Sequence, residues 1–310
     1  MINLSKVTDS TLSFFKSQTE NLDPVIYKPL MASSWSRDID LRPNVTDQSD
    51  RTSFRVMMPS LVSSDSAAKS TSASGANMNA IPTIAIDFQK TSVALTEELI
   101  KVSFTNTELN RAMGMGVPLD TTMLEAEIQL FDWKINQMVY LGNDDPGLLN
   151  NPKIKKTTPK TGNWSNATAD QIQDDFLKIL AEYTSETVTA VQPNRCLLPV
   201  DIFYLLKRKN SSAGVMSIMN YLQNVQASSG APIEFAMNRW LDYGKSDPNI
   251  NNKNRMVLYN KDVKLVRYPL VLPKLSQRYP IDDSQVAVFK AFLGRVEFIQ
   301  PETVRYMDGL

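Results

Sequence analysis

The feature that most restricts what this chain can fold into is a pair of alternating runs with no core between them. RTSFRVMM, Arg51 to Met58, and IPTIAIDFQKTSVAL, Ile81 to Leu95, each roughly alternate polar and apolar residues, the period-2 pattern of strands. The segment that joins them, SLVSSDSAAKSTSASGANMN, is rich in serine and alanine and contains Gly75. It reads as the tip of a long hairpin. The other reading, an interdomain linker, is weakened by the strand patterns on both flanks. A two-stranded ribbon is marginal by itself in water. Its apolar residues have to be buried on a neighbour.

The N-terminal stretch poses the same problem. Residues 1 to about 45 are polar, with apolar anchors at Phe14, Phe15, Ile26, Tyr27, Leu30 and Trp35, and with Pro24, Pro29 and Pro43 between them. Such a segment buries too little to form a core alone. It reads as an arm that packs on something else, such as another copy of the chain.

A body follows. ELNRAMGMGVPLD gives a short helix and a Gly/Pro break, and TTMLEAEIQLFDWKINQMVYLG gives a long helix of about 20 residues, about 30 Å. Leu124, Ile128, Phe131, Ile135 and Met138 step by four and three, so they are expected on its buried face. Glu125, Glu127, Lys134 and Asn136 are expected off that face. Thr122 with Glu125 fits a capping box, and Gly142 supplies a left-handed stop.

After the helix comes YLGNDDPGLLNNPKI, whose acid pair Asp144 and Asp145 raises the question of a metal or catalytic loop. Pro146 ends the helix, Asn, Asp and Gly accept turn dihedrals, and Leu148 and Leu149 bring the chain back to the body. The alternating oxygen ligands and later glutamate of a calcium loop are missing. The stretch reads as a corner. Beyond it lie a basic loop, NPKIKKTTPKTGNWSN, and a second helix capped by Thr168 with Gln171, with Ile172, Phe176, Ile179, Leu180 and Tyr183 on its apolar face. A buried strand NRCLLPV follows, then a helix IFYLLKRK capped by Asp201, and shorter helices over SIMNYLQNV and around Phe235 to Leu241. Strands return in RMVLYN, VKLVRYPLVL, QVAVFKAFLGRVEFI and TVRYM, which makes the chain α/β or α+β.

Composition closes off much chemistry. The chain of 310 residues has 33 Lys plus Arg, 33 Asp plus Glu and no histidine. The balance does not advertise nucleic acid or an anionic membrane as the main partner, and the commonest metal ligand is missing. The single cysteine, Cys196, lies in the apolar run Cys-Leu-Leu-Pro and reads as a small core residue. There is no GxGxxG, P-loop or GxSxG motif. Asp174 with Asp175, and Asp282 with Asp283, read as solvated charge, as do the basic runs Lys153 to Lys160 and Lys207 to Lys209, although the latter have the charge to touch phosphate. No run approaches the roughly 18 to 20 apolar residues of a membrane span, and the N-terminus lacks the pattern of a signal peptide.

The order of these segments carries a resemblance. Glu108 to Ala112 (Glu-Leu-x-Arg-Ala) and Gly116 to Asp120 (Gly-Val-Pro-Leu-Asp) lead into the long helix. Gly147 to Asn150 (Gly-Leu-Leu-Asn), Gly162 to Trp164 (Gly-x-Trp), Leu197 to Pro199 (Leu-Leu-Pro) and a C-terminal strand preceded by Pro301 follow. Over about residues 10 to 310 the chain resembles the major capsid proteins of tailed bacteriophages and prophages, the Hong Kong 97-like family that also includes encapsulins.

The resemblance implies an α+β fold with an N-terminal arm over 1–45, an extended loop over 46–100, a peripheral domain over 101–165 and 285–310 with the long helix as its spine, and an axial domain over 166–284. It implies a structural protein rather than an enzyme, without cofactor or metal, whose copies form hexamers and pentamers of an icosahedral shell around a double-stranded DNA genome. Assembly would take place in the host cytoplasm, away from any membrane. Portal, scaffold or decoration proteins are further partners on this reading, packaged DNA is touched without sequence preference, and the short N-terminal stretch suggests no fused scaffold. Inter-subunit contacts are expected from Phe14, Phe15, Tyr27 and Trp35 of the arm, and from Arg51, Phe54, Arg55, Lys69, Ile84 and Phe88 of the loop. Some relatives crosslink a loop lysine to an asparagine, and Lys69 is placed for that. The alternatives are an encapsulin shell and, from another class, a hydrolase working through carboxylates.

Overall fold

The computed structural model describes residues 33–62, 83–114, 119–143, 145–210, 216–227, 232–242 and 254–310, with side chains undescribed at 58–62, 83–85, 111–114, 119–124, 225–227 and 278. A short helix α1 (Trp35–Asp38) and strand β1 (Asp40–Leu41) precede the hairpin. Its strands, β2 (Arg51–Val62) and β3 (Thr83–Ala94), pair antiparallel without a bulge, from Arg51 opposite Ala94 to Val62 opposite Thr83. Both expected strands are present, and β2 runs four residues beyond Met58, to Val62. The tip, residues 63–82, lies outside the described residues.

Strand β4 (Thr96–Thr105) carries no assignment from the sequence. It pairs with β11 (Ser284–Leu293), which pairs with β10 (Leu270–Ile281), in the order β10-β11-β4. The hairpin therefore leads directly into a sheet whose other strands come from the far end of the chain. The expected short helix is α2 (Asn106–Gly114), and the long one is α3 (Leu119–Tyr140).

Helix α3 differs from expectation in two respects. It begins at Leu119, before Thr122, so Thr122 and Glu125 do not cap its start. Glu127, Phe131, Ile135 and Val139, which step by four, are buried together with Asn136 and Tyr140, whereas Ile128 is 47% exposed, and Leu130 and Trp133 are also exposed. The helix carries apolar residues on most sides, so its neighbours select the buried stripe. Phe131 packs on Ala287, Phe289 and Ala291 of β11 with Ile100 of β4 beside them. Asn136, expected outside, is buried because its Oδ1 accepts the Ser34 backbone N–H at 3.0 Å.

The corner after α3 is closed by backbone bonds. Gly142 holds φ +75°, the left-handed stop expected there. The N–H groups of Leu148 and Leu149 donate to the carbonyls of Val139 and Tyr140 at 2.8 and 3.0 Å, which turns the chain back along the helix end. Asn150 bridges the turn, accepting from Gly147 N–H and donating to the Leu141 carbonyl, both at 2.7 Å. Leu148 and Leu149 are fully buried in the larger core with Ile135, Val139, Val257 and Tyr306.

The largest sheet has the order β5-β13-β8-β6-β7, built from β5 (Lys156–Thr157), β13 (Val304–Asp308), β8 (Arg255–Tyr259), β6 (Arg195–Leu198) and β7 (Glu234–Met237). Helix α4 (Ala169–Glu186) starts with the expected capping box between Thr168 and Gln171 and buries Ile172, Phe176, Ile179 and Tyr183. It joins helices α5 (Val200–Arg208) and α6 (Ile218–Ala227) over a second core that includes Cys196, whose thiol is pushed up by burial. Asp201 lies in the first turn of α5 rather than at its N-cap, and Asp242 Oδ1 accepts the Val200 N–H at 2.7 Å. The stretch around Phe235 to Leu241 is strand β7 plus a 3-10 turn (Arg239–Leu241), not a helix. Pairing with β6 decides its state, a non-local influence that residue periodicity does not carry. A small third sheet, β1-β9-β12, joins β1 to β9 (Val266–Tyr268) and β12 (Glu297–Phe298).

Asp175, expected to be solvated, is buried. Its carboxylate accepts the Lys160 N–H at 2.9 Å and the Trp164 Nε1–H at 3.2 Å, so it organises the basic loop around a buried tryptophan.

Candidate interaction surface

The register of the hairpin sorts its side chains, because residues directly opposite each other on paired strands share a face. Thr52, Phe54 and Val56 lie opposite Val93, Thr91 and Gln89. This face meets the body: Thr52 and Val93 are buried, and Phe54, Val56, Gln89, Thr91 and Val93 line a cleft of about 390 Å³ whose far wall includes Asn151, Lys153, Arg295 and Phe298. The other face carries Arg51, Arg55 and Met57 on β2 and Phe88 and Lys90 on β3, with Met57 directly opposite Phe88. Met57 is 56% exposed, Phe88 55% and Ile86 52%. An open apolar stripe thus follows a basic root.

The root itself is held rigidly. Glu297 on β12 is buried, and its Oε1 accepts from Arg42 Nη1 at 2.6 Å and from Thr52 Oγ1 at 2.8 Å, while its Oε2 accepts from Arg267 Nε at 2.7 Å. Arg42 also donates through Nη2 to the Ser53 carbonyl at 2.9 Å, and the Leu95 N–H donates to the Asp50 carbonyl at 3.0 Å. The Arg267 guanidinium stands 5.9 Å from the centre of the Phe54 ring. One buried acid with three donors therefore ties the start of the hairpin to two other segments. Sequence reading missed Glu297, and the available signal was an acid inside the apolar run Val-Glu-Phe-Ile, since a buried carboxylate needs partners.

The residues expected at inter-subunit contacts fall into four groups. Arg51, Arg55 and Phe88 share the open face, and Ile84 pairs in register with Leu61 farther out, its side chain outside the described residues. Phe54 is on the opposite face, over the cleft. Trp35 packs in the chain's own core with Ile39, so little of its surface remains for a neighbour. Phe14, Phe15, Tyr27 and Lys69 lie outside the described residues.

The segment around Trp35 is built into the body by a buried charge. Asp38 accepts from Arg195 Nη2 and from Arg37 Nε, both at 2.7 Å, and from the Tyr140 hydroxyl, whose proton is held tightly by burial and then by the Asp38 charge. Ser34 and Asp38, within the segment expected as an arm, are thus bonded to Asn136, Tyr140 and Arg195.

Asp145 is exposed and pairs with Arg295 at 2.9 Å, and Asp144 is outside the described residues. Among the described residues no group of three or more Cys, Asp or Glu side chains is placed to hold a metal. In the basic runs, Lys155 pairs with Glu186 at 2.6 Å, and Lys209 Nζ donates to the Ala167 carbonyl at 2.5 Å and to the Trp164 carbonyl at 3.2 Å. No described helix is long and apolar enough to cross a membrane.

Comparison with known proteins agrees with this geometry. The structure is similar to the capsid of Myoviridae phage XM1 at a TM-score of 0.76 and 14% identity, covering 94% of this chain and 97% of that one. It is also similar to the capsid of an empty GTA particle (TM-score 0.56, 13% identity, 99% of each chain) and to the SrpI encapsulin of Synechococcus elongatus PCC 7942 (TM-score 0.52, 10% identity, 96% and 95%). A sequence search of curated proteins finds no match. The fold is the Hong Kong 97-like capsid fold. The family model for the major capsid protein matches residues 70–310, so the chain belongs to the major capsid protein family.

Proposed function

We propose that this protein is the main structural subunit of an icosahedral shell, arranged in hexamers and pentamers, that encloses the double-stranded DNA genome of a tailed phage. The observation that carries this reading is the hairpin: one face fixed to the body through Glu297, the other open with Met57 opposite Phe88. Three exposed apolar side chains on a rigid ribbon suit contact with a second copy better than a life in solvent.

On this reading residues 46–100 are the extended loop, the regions 101–165 and 285–310 the peripheral domain with α3 as its spine, and 166–284 the axial domain. Contact with DNA is non-specific and screened, as suits equal numbers of acidic and basic residues. Portal, scaffold or decoration proteins are further partners, assembly takes place in the host cytoplasm, and no step needs catalysis. The likeness to an encapsulin supports a second reading, a cellular compartment, but the higher TM-score belongs to a phage capsid.

Particle size and contents test both. Closed particles holding nuclease-protected DNA are expected when the protein is purified from cells carrying its phage. Particles filled with a protein cargo and no DNA would favour the compartment, and a chain that remains monomeric there would overturn both.

A further inference from the structure

Glu127 is placed where a carboxylate has no evident structural use. It lies on α3 one turn before Phe131, on the side that packs against β4 and β11. It is 3% exposed, and its Oε1 is buried with no hydrogen-bond partner. The described charged groups on the surrounding elements are engaged or directed elsewhere. On α3, Lys134 is bound to Glu98 of β4 at 2.6 Å, and Glu125 and Asp132 are themselves acids. On β4, Lys101 is exposed and alternates with the inward Ile100, and on β11 Lys290 pairs with Glu97 at 2.8 Å. On α2, Glu108 accepts the Thr105 N–H at 3.0 Å, and the side chain of Arg111 is outside the described residues.

Among the described residues no cation or donor meets Oε1, so the buried state favours the protonated form. The adjacent Ile128 is 47% exposed, so solvent lies one residue away along the helix. Turning or lifting the helix to bring Oε1 into that solvent would carry Phe131 off Ala287 and Phe289.

We propose that Glu127 is a proton-controlled latch between α3 and the β4–β11 sheet: protonated it holds the N-terminal half of the helix on the sheet, and ionised it releases that half toward water. Burial pushes the Glu127 carboxyl from 4.5 up to about 7. A folded-state value raised above the unfolded one means that the stabilisation is complete below about pH 4.5 and is lost as pH rises to about 7. The subunit is then stiffest at its long helix under mildly acidic conditions and loosens near neutrality. This inference is independent of what the shell encloses.

The test uses the full chain. The unfolding midpoint is followed from pH 5 to 8.5 in the wild type, in Glu127→Gln, and in Asp174→Asn as a control at an exposed acid. The expected result is a wild-type midpoint that falls toward neutral pH relative to Glu127→Gln, with Gln the more stable above pH 7 and the control parallel to wild type. Parallel profiles for wild type and Glu127→Gln overturn the proposal. If the Gln variant does not fold, carboxyl-labelled glutamate in the wild type decides by NMR. One resonance titrating near neutrality supports the latch, and titration of every glutamate in the ordinary carboxylate range sinks it.

Discussion

Thr52 on β2 donates its hydroxyl to the Glu297 carboxylate at 2.8 Å, although 245 positions separate the two in the chain. The same carboxylate receives Arg42 and Arg267, whose side chains are largely buried. Glu297→Ala leaves two arginines without their acid and is expected to cost about 3 kcal/mol, at the lower end for a broken buried pair because both guanidiniums keep some access to water. Urea unfolding gives the loss, and hydrogen exchange should show faster opening at the root of β2 and β3. Unchanged exchange there would mean that the hairpin is anchored by other contacts.

The two aromatic and aliphatic positions Phe131 and Ile128 separate the buried side of α3 from the side first read as buried. Phe131→Ala removes a ring packed on Ala287 and Phe289 and is expected to cost about 3 to 5 kcal/mol. Ile128→Ala, at an exposed site, should stay within about 1 kcal/mol in the isolated subunit. Equal losses from the two substitutions would contradict the burial described for the helix.

Gly147 is required by close approach rather than by a left-handed dihedral. A Cβ built there would sit 2.5 Å from the Tyr140 carbonyl oxygen, a backbone atom that cannot swing aside. Gly147→Ala should therefore open the corner, with loss of soluble protein or of assembly. Asp145→Asn weakens only an exposed pair with Arg295 and should change stability by less than about 1 kcal/mol. A variant of Asp145 whose assembly is lost and then restored by a divalent cation would return the corner to the status of a metal site.

What was legible in the sequence was local. Alternation located β2 and β3 to within a few residues, the Thr168–Gln171 box located the start of α4, and Gly142 with Pro146 located the corner. What was not legible depended on distant partners. Strand β4 begins Thr-Glu-Glu and looks unremarkable until β11, far along the chain, completes its ladder. The stretch from Phe235 has helical spacing, yet pairing with β6 makes it a strand. Glu127, Asn136 and Asp175 look like surface residues because burial of a polar side chain is decided by what it meets. For Asn136 and Asp175 those are the N–H donors of Ser34, Lys160 and Trp164. Of the interaction surface, the sequence indicated the open face through Arg51, Arg55 and Phe88, and not Glu297, which fixes its direction.

The central claim is that the open face of the hairpin joins one copy of the chain to another. Replacing Met57 and Phe88 together with Glu places two charges on opposed, exposed positions that make no contact with either core of their own subunit. The direct measurement is the mass of the purified particle by sedimentation, with the unfolding midpoint of the separated subunit measured alongside. The account predicts closed shells for the wild type, and for the double variant subunits or small oligomers that unfold at the wild-type midpoint. Shells formed as efficiently by the double variant as by the wild type would contradict it.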